Sequence, residues 1–408
     1  MASDLADLST SGPQRQATPP LSRSGRAVAA VRYAAPALLG YAAVRLVGLL
    51  MLWTHPGRGS TLTRLGTLWD AVFYLDVAKR GYVDDLGIPG YQNGVPYSSR
   101  AFFPVYPGLI RAVDTVLPVS AVHAALLVAW AGALLAAAGI FAIGAHLYGR
   151  RAGVVAAVLW GVIPHAVVES YAYTEALFTA AAAWALYAAL TRRWVWAGAI
   201  STLSCLVRPT GMAVAAAVVV AGAWTALQIL RGRGDGATAW WRPLAGAFLA
   251  PLGWIGYVGY VGWVRGSLKG YFDVQSAWGS QFDGGVGTVR WLHRLFLGSG
   301  GGATTVDQVV MAGVVVAAVL LFAVSVGQRQ PLVLLVFSAM MLVIALGDGS
   351  DYAPRARFLV PAFALLLPLA AGLARLRQPA ARWLVLLTAA LCSGVYGVFL
   401  TFVSRFSP

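Results

Sequence analysis

The chain has 408 residues, of which 59% are hydrophobic and only 11% charged, which excludes a soluble protein of this length. Its formal net charge is +15, but the cations sit mostly in short turns between apolar runs. Membrane topology alone explains them there, and no nucleic-acid partner is expected. Several runs reach the roughly 18 to 20 apolar residues that cross a bilayer, and long strand-like alternation is absent. The expected fold class is therefore an all-α polytopic membrane protein.

Residues 1–27 are polar and rich in Ser, Pro and Arg and read as a disordered tail. The first apolar run starts too late and is too long for a secretory signal. Residues 28–408 read as a single transmembrane domain. Its predicted spans are 29–53, 119–147, 152–168, 173–191, 194–207, 211–230, 243–265, 307–326, 331–346, 358–374 and 382–403, about eleven helices. Those at 152–168, 194–207 and 331–346 are short enough to be re-entrant or merged with a neighbour. Cys205 and Cys392 lie inside apolar segments, with neither a disulfide framework nor a metal-ligand spacing.

Charge sets the orientation. With the N-terminus, Arg23 and Arg26 inside, the short turns holding Arg150-Arg151, Arg192-Arg193, Arg231 with Arg233 and Arg242, Arg329, and Arg375 with Arg377 and Arg382 all fall on the cytoplasmic side. The opposite face then receives two long loops, 54–118 and 266–306, and nearly all the acids, among them Asp70, Asp76, Asp84, Asp85, Asp114, Glu169, Asp273, Asp283, Asp348 and Asp351. Glu175 falls about one turn inside the membrane from that face. The inner turns leave no room for a nucleotide site, and neither a P-loop nor a dinucleotide fingerprint is present. Chemistry, if any, is expected outside the cytoplasm, at the cell membrane.

The loop 54–118 carries the most informative stretch, Trp69 to Tyr82. Trp69, Val72, Phe73 and Val77 share one side of a predicted surface helix, Asp70 falls in its first turn, and Gly81 ends it. Asp70 reads either as a helix cap or dipole partner, or as a general base or substrate-orienting carboxylate. Trp69 and Tyr74 beside it suit a sugar face or an interfacial belt. Asp76, Asp84 and Asp85 read as solvated loop residues or as partners for Lys79 and Arg80. Further on, Pro104 and Pro107 stiffen the start of a second surface helix near 108–117, with Arg100 free to reach a phosphate or to anchor at the interface.

Glu169 and Glu175 are the only glutamates. An ionisable group at the membrane boundary is costly and usually functional; the alternative for Glu175 is a structural link to an arginine such as Arg208. Arg208-Pro209-Thr210-Gly211 and Arg357-Phe358-Leu359-Val360-Pro361 are helix breaks. Arginines converging from such breaks would hold a phosphate through forked, charge-assisted bonds, whereas each alone also fits interfacial snorkelling. The five histidines form no metal-ligand cluster by spacing.

Taken in order, WDAVFYLDVAKRGY, AFFPVYPGLIR, YTEALF, LVRPTG and RFLVPAF resemble the PIG-V-type mannosyltransferases, especially their actinobacterial members, over residues 65 to 375. Such proteins are similar to the GT-C class of membrane glycosyltransferases, and the resemblance implies a GT-C-like helical bundle. It also implies a polyprenyl-phosphate sugar donor, mannose above all, and an essential carboxylate in the first large outer loop. Carried over, that carboxylate is Asp70, and Glu175 and Arg208 gain attention. The DxD-like pair of some GT-C enzymes is absent around Asp70, so no metal is expected, nor any cofactor. The expected reaction is inverting sugar transfer to a lipid or glycan hydroxyl. Asp70 and Glu175 are its catalytic candidates, and Trp69, Tyr74, Arg100, Arg208 and Arg357 its substrate-binding candidates. The rival readings are a transporter or flippase of lipid-linked sugars and a non-catalytic assembly subunit.

Overall fold

The computed structural model describes residues 23–55, 60–88, 96–234, 236, 238–298, 305–349, 355–404 and 407. The expected tail over 1–22 and the expected outer residue Asp351 lie outside these. Among the described residues the chain is helical, with one isolated bridge between Phe282 and Asp348. This is the all-α membrane architecture expected from composition.

Helix α1 (Arg23–Trp53) begins five residues before the expected boundary at 28. Three surface helices follow in the first long loop: α2 (Thr61–Thr67), α3 (Ala71–Arg80) and α4 (Val105–Val116). The bundle then continues through α5 (Ala121–Tyr148), α6 (Arg150–Trp160), α7 (Glu175–Leu190), α8 (Trp194–Cys205) and α9 (Gly211–Leu230). After α10 (Trp241–Leu249) and α11 (Leu252–Val264), the second long loop holds α12 (Gly270–Ala277) and α13 (Val286–Leu297). The chain closes with α14 (Val306–Gly327), α15 (Leu332–Gly347), the five-residue α16 (Arg355–Leu359), α17 (Leu367–Ala374) and α18 (Pro379–Phe402).

Six described helices are long and apolar enough to cross a membrane: Val28–Trp53, Ala121–Tyr148, Gly211–Leu230, Trp241–Val264, Val306–Gly327 and Pro379–Phe402. Three of the expected spans are not regular helices. The span 152–168 stops at Trp160 and continues through turns and a 3₁₀ segment, Ala166–Ser170, because Gly161 and Pro164 do not sustain a ladder. The span 243–265 bends at Pro251, which has no N–H to donate. The span 358–374 breaks after Leu359 and restarts as a 3₁₀ turn and α17 beyond Pro361. Irregular backbone at membrane depth is tolerated where protein covers it, and Val167, Val168, Val360 and Phe363 are buried.

Small residues hold the centre together. Ala133, Ala136 and Ala137 of α5 and Ala180, Ala182 and Ala183 of α7 are buried in one core, as close helix approach within a bilayer requires. A second core seats the surface helix α3. Its Ala71, Tyr74, Leu75 and Ala78 are buried against Phe102, Tyr106 and Ala125. The expected stripe holds only in part: Val77 is buried and Phe73 packs against this core, while Trp69 and Val72 are exposed. Both stripes have helical spacing; the one with Ala71 and Ala78 lets the helix lie close on α4 and α5.

Candidate active site at one end of the bundle

Helix order places the charges. The basic turns at Arg150-Arg151, Arg192-Arg193, Arg231, Arg329 and Arg375 join helices at one end of the bundle, and Asp70, Glu175, Arg208, Asp348 and Arg357 gather at the other.

The loop before α3 delivers Asp70. Leu68 is extended and Trp69 is left-handed, with φ +47°, an unfavourable conformation for a bulky residue. Asp70 stands at the N-cap of α3, yet its side chain makes no capping bond. Its carboxylate instead takes the Arg357 guanidinium. Asp70 is therefore not a side-chain cap, although its place at the N-terminus of α3 suits a partner of the helix dipole.

Glu175 is the first residue of α7, where the helix dipole favours an anion. Its Oε1 accepts from Arg208 Nη1 at 2.5 Å and from Arg357 Nε at 2.6 Å. All three groups are buried, and Glu175 Oε2 has no partner among the described residues. Arg208 also donates to Thr174 Oγ1 at 3.3 Å, and the Tyr74 hydroxyl lies 3.2 Å from the same oxygen. Burial pushes the Tyr74 hydroxyl well above its ordinary pKa, so it stays protonated. Arg357 packs its charge over the Tyr173 ring at 4.7 Å and donates to Ser407 Oγ at 3.3 Å. Four segments distant in sequence thus supply an alternating string: Asp70, Arg357, Glu175, Arg208.

Local sequence explains each placement. Arg208 sits in the two-turn break between α8 and α9, where Gly211 crosses so close to Cys205 that a Cβ would overlap its backbone. Arg357 rides on α16, isolated by the break before Pro361. The stretch leading to Glu175 is pinned by a separate buried group. Tyr41 donates to Glu169 Oε2 at 2.7 Å, while Arg45 donates to Ser170 Oγ at 2.6 Å and to Gly161 O at 3.2 Å. Glu169 is thereby tied into the fold away from the string, a structural use of a buried carboxylate.

A cavity of about 680 Å³ opens onto this string. Asp70, Tyr74, Arg208 and Arg357 line it together with aromatic residues of the first loop, α11, α12 and residues 278–282, and with Asp273 and Asp348. On the other side of α16, a second cavity of about 320 Å³ is lined by α14, α16, the residues 360–366 before α17 and the turn Ile163–His165, all apolar apart from His165. Among the described residues no cluster of His, Cys, Asp or Glu is arranged to hold a metal.

Two of the candidates lie elsewhere. Trp69 is 42% exposed at the bend and does not line the cavity. Arg100 turns away from the cavity and donates to Asp84 Oδ1 at 2.6 Å and to Tyr260 at 3.1 Å. This pair clamps the segment 99–103 against α11, helped by Tyr257, whose hydroxyl reaches the carbonyls of Arg100 and Phe102 at 2.9 Å each. Asp76 pairs with Arg80 at 3.0 Å as expected of a helix surface, whereas Asp84 finds Arg100 rather than the lysine and arginine of α3. Asp348 is legible only as an outer-face acid, and Thr174, Tyr173 and Ser407 are absent from the candidates. Tyr173 and Thr174 flank Glu175 in a motif and are open to notice; Ser407 has no local signal, because only the fold brings it near.

The fold has known counterparts. ArnT from Cupriavidus metallidurans bound to undecaprenyl phosphate aligns with 91% of this chain at 14% identity and a TM-score of 0.51, and the chain spans 64% of that protein. ArnT in the apo state is similar over 86% of this chain and 61% of its own length, at 15% identity and a TM-score of 0.48. The apo oligosaccharyltransferase of Archaeoglobus fulgidus is similar over 91% and 58%, at 14% identity and a TM-score of 0.46. No protein-family model and no curated protein sequence matches the chain, so the narrower resemblance to PIG-V-type mannosyltransferases gains no support. What the first likeness carries is the fold: a multi-pass, all-helical, GT-C-like bundle.

Proposed function

We propose that the protein is a membrane glycosyltransferase that moves a sugar from a polyprenyl-phosphate carrier to an acceptor hydroxyl, on the non-cytoplasmic side of the cell membrane. The observation that carries this reading is the string Asp70–Arg357–Glu175–Arg208, assembled from four segments at a large cavity. ArnT, whose fold it shares, is a protein seen with undecaprenyl phosphate bound, and this supports a lipid-phosphate carrier. Mannose is the sugar that the motif resemblance favours.

In this reading the acceptor oxygen attacks the anomeric carbon, and the bond from that carbon to the phosphate oxygen breaks. The electron pair leaves on the phosphate, and Asp70 takes the acceptor proton. One displacement with one base inverts the anomeric centre, as in one-step glycoside chemistry. Arg208 and Arg357 lie where they can meet the growing negative charge, and Glu175 fixes both guanidinium groups before substrate arrives. Arg357 is shared between Asp70 and Glu175; a phosphate that recruits it loosens its hold on Asp70 as the base is needed. The apolar cavity behind α16 offers the carrier's tail a route away from the polar site.

The test is incubation of the purified protein in lipid with a panel of polyprenyl-phosphate sugars and acceptors. A new glycosidic bond is expected, and Asp70→Asn should lower its rate by about 10²- to 10⁴-fold. Full transfer by that variant removes Asp70 as the base. Equilibration of carrier across vesicles without any product would establish the transporter reading instead.

A further inference from the structure

We infer that the wall of the large cavity formed by α12 and residues 278–282 is an acceptor subsite, and that its ligand is a neutral carbohydrate. This deepens the glycosyltransferase reading and rests on it for the word acceptor. The site's existence as a sugar-binding surface does not depend on that reading.

Aromatic rings, presented at the cavity and fixed in place, carry the inference. Trp278 donates its indole N–H to Ser98 O at 3.1 Å and is packed edge-on against Phe73 and Phe102, with ring centroids 4.8 and 5.2 Å away. Phe272 and Phe282 also line the cavity and are 52% and 70% exposed. The segment carrying Phe282 is pinned by backbone bonds, Gly349 N–H to Gln281 O at 2.6 Å and Asp283 N–H to Gly347 O at 2.9 Å. Phe282 then lies so close over Gly347 that a Cβ there would overlap the ring. Fixed aromatic faces suit the slightly positive C–H faces of a pyranose ring, which meet the negative face of the π system.

Polar groups stand among these rings. Asp273 and Ser280 line the same wall, and the Gln275 amide is fixed by its bonds to Ala101 O and to the Tyr271 hydroxyl. Carboxylate and hydroxyl groups offer sugar hydroxyls strong partners. The charge of the wall narrows the ligand further. Its carboxylates are Asp273 and Asp348, whereas the cavity's two arginines stand with Asp70 and Glu175, where the proposed donor phosphate would meet them. An acidic glycan or a phosphorylated headgroup would meet like charge along this wall. A lipid chain would strip the exposed Asp273 carboxylate of its water, at a cost; the separate cavity behind α16 has the apolar lining such a chain needs.

Saturation-transfer NMR on the full chain in lipid nanodiscs tests this, with neutral hexose oligosaccharides of two to four units as probes and a uronic-acid oligosaccharide of equal length as control. Saturation of the neutral probe is expected, with at least a 10-fold weaker response to the acidic one. Phe282→Ala and Asp273→Asn, both surface changes, should each weaken neutral binding about 10-fold. In the transfer assay each should raise the acceptor KM to the same extent while the donor KM stays unchanged. No saturation of the neutral probe, or an equal response in the parent and both variants, overturns the subsite, even where some lipid or peptide is glycosylated. Binding that behaves as expected, without sugar transfer from any carrier, leaves the subsite standing and removes the glycosyltransferase reading.

Discussion

Glu175→Gln is the most searching single change. One carboxylate oxygen receives Arg208 at 2.5 Å and Arg357 at 2.6 Å, and all three side chains are at least nine-tenths buried. Charge centres roughly 4 Å apart in an effective dielectric of ~20 attract by about 4 kcal/mol per pair before desolvation is counted. Removing one partner from a buried pair costs about 3–5 kcal/mol, because the other charge is left uncompensated. Arg357 retains Asp70, so that cost falls on Arg208. A glutamine keeps one acceptor oxygen and recovers about 1–1.5 kcal/mol of hydrogen bonding. The expected loss is therefore about 2–4 kcal/mol for Glu175→Gln. The assay is a double-mutant cycle with Arg208→Gln, following unfolding by tryptophan fluorescence in one defined lipid. The double variant, with both charges gone, should be more stable than the sum of the single losses by at least about 1 kcal/mol. Strict additivity, or a Glu175→Gln protein as stable as the parent, would refute a buried carboxylate shared by two arginines.

The remaining expectations are more local. Gly211→Ala should cost about 1–3 kcal/mol, since its new Cβ meets the Cys205 backbone; the displaced Arg208 should raise the donor KM in the transfer assay. Trp69 is held at φ +47°, so Trp69→Gly should be more stable than Trp69→Ala by about 1 kcal/mol, both lacking the ring but only glycine tolerating that backbone. Equal stability would mean that the bend is not left-handed in solution. The hydrogen bond from Arg100 holds the Asp84 carboxyl below its ordinary value, so the pair stabilises the fold above roughly pH 4, the unfolded value. That contribution is lost as pH falls through the lower folded value. Asp84 is half exposed, so Asp84→Asn should cost no more than about 1 kcal/mol at pH 7. The gap to the parent should stay level from pH 5 to 8 and close on acidification. A gap that instead widens below pH 5 would contradict the sign.

The sequence by itself determined the class and most of the helices. Bilayer length and apolarity are properties of contiguous residues, so the runs that became α1, α5, α9, α14 and α18 were legible without a fold. The motif residues Asp70, Glu175, Arg208 and Arg357 were legible too, because charge is conspicuous in an apolar chain. Their mutual pairing was not. Asp70 and Arg357 are 287 positions apart, and nothing local states which carboxylate a given guanidinium will reach. The same limit sent Arg100 to Asp84 and chose Ala71 and Ala78 over Trp69 and Val72 as the seat of α3. Two helical stripes were each self-consistent in sequence, and only close packing on α4 and α5 separated them. Local periodicity fixes which residues share a face. Which face is buried, and which charges meet across it, depends on contacts between distant segments, and these exist only once the bundle has closed.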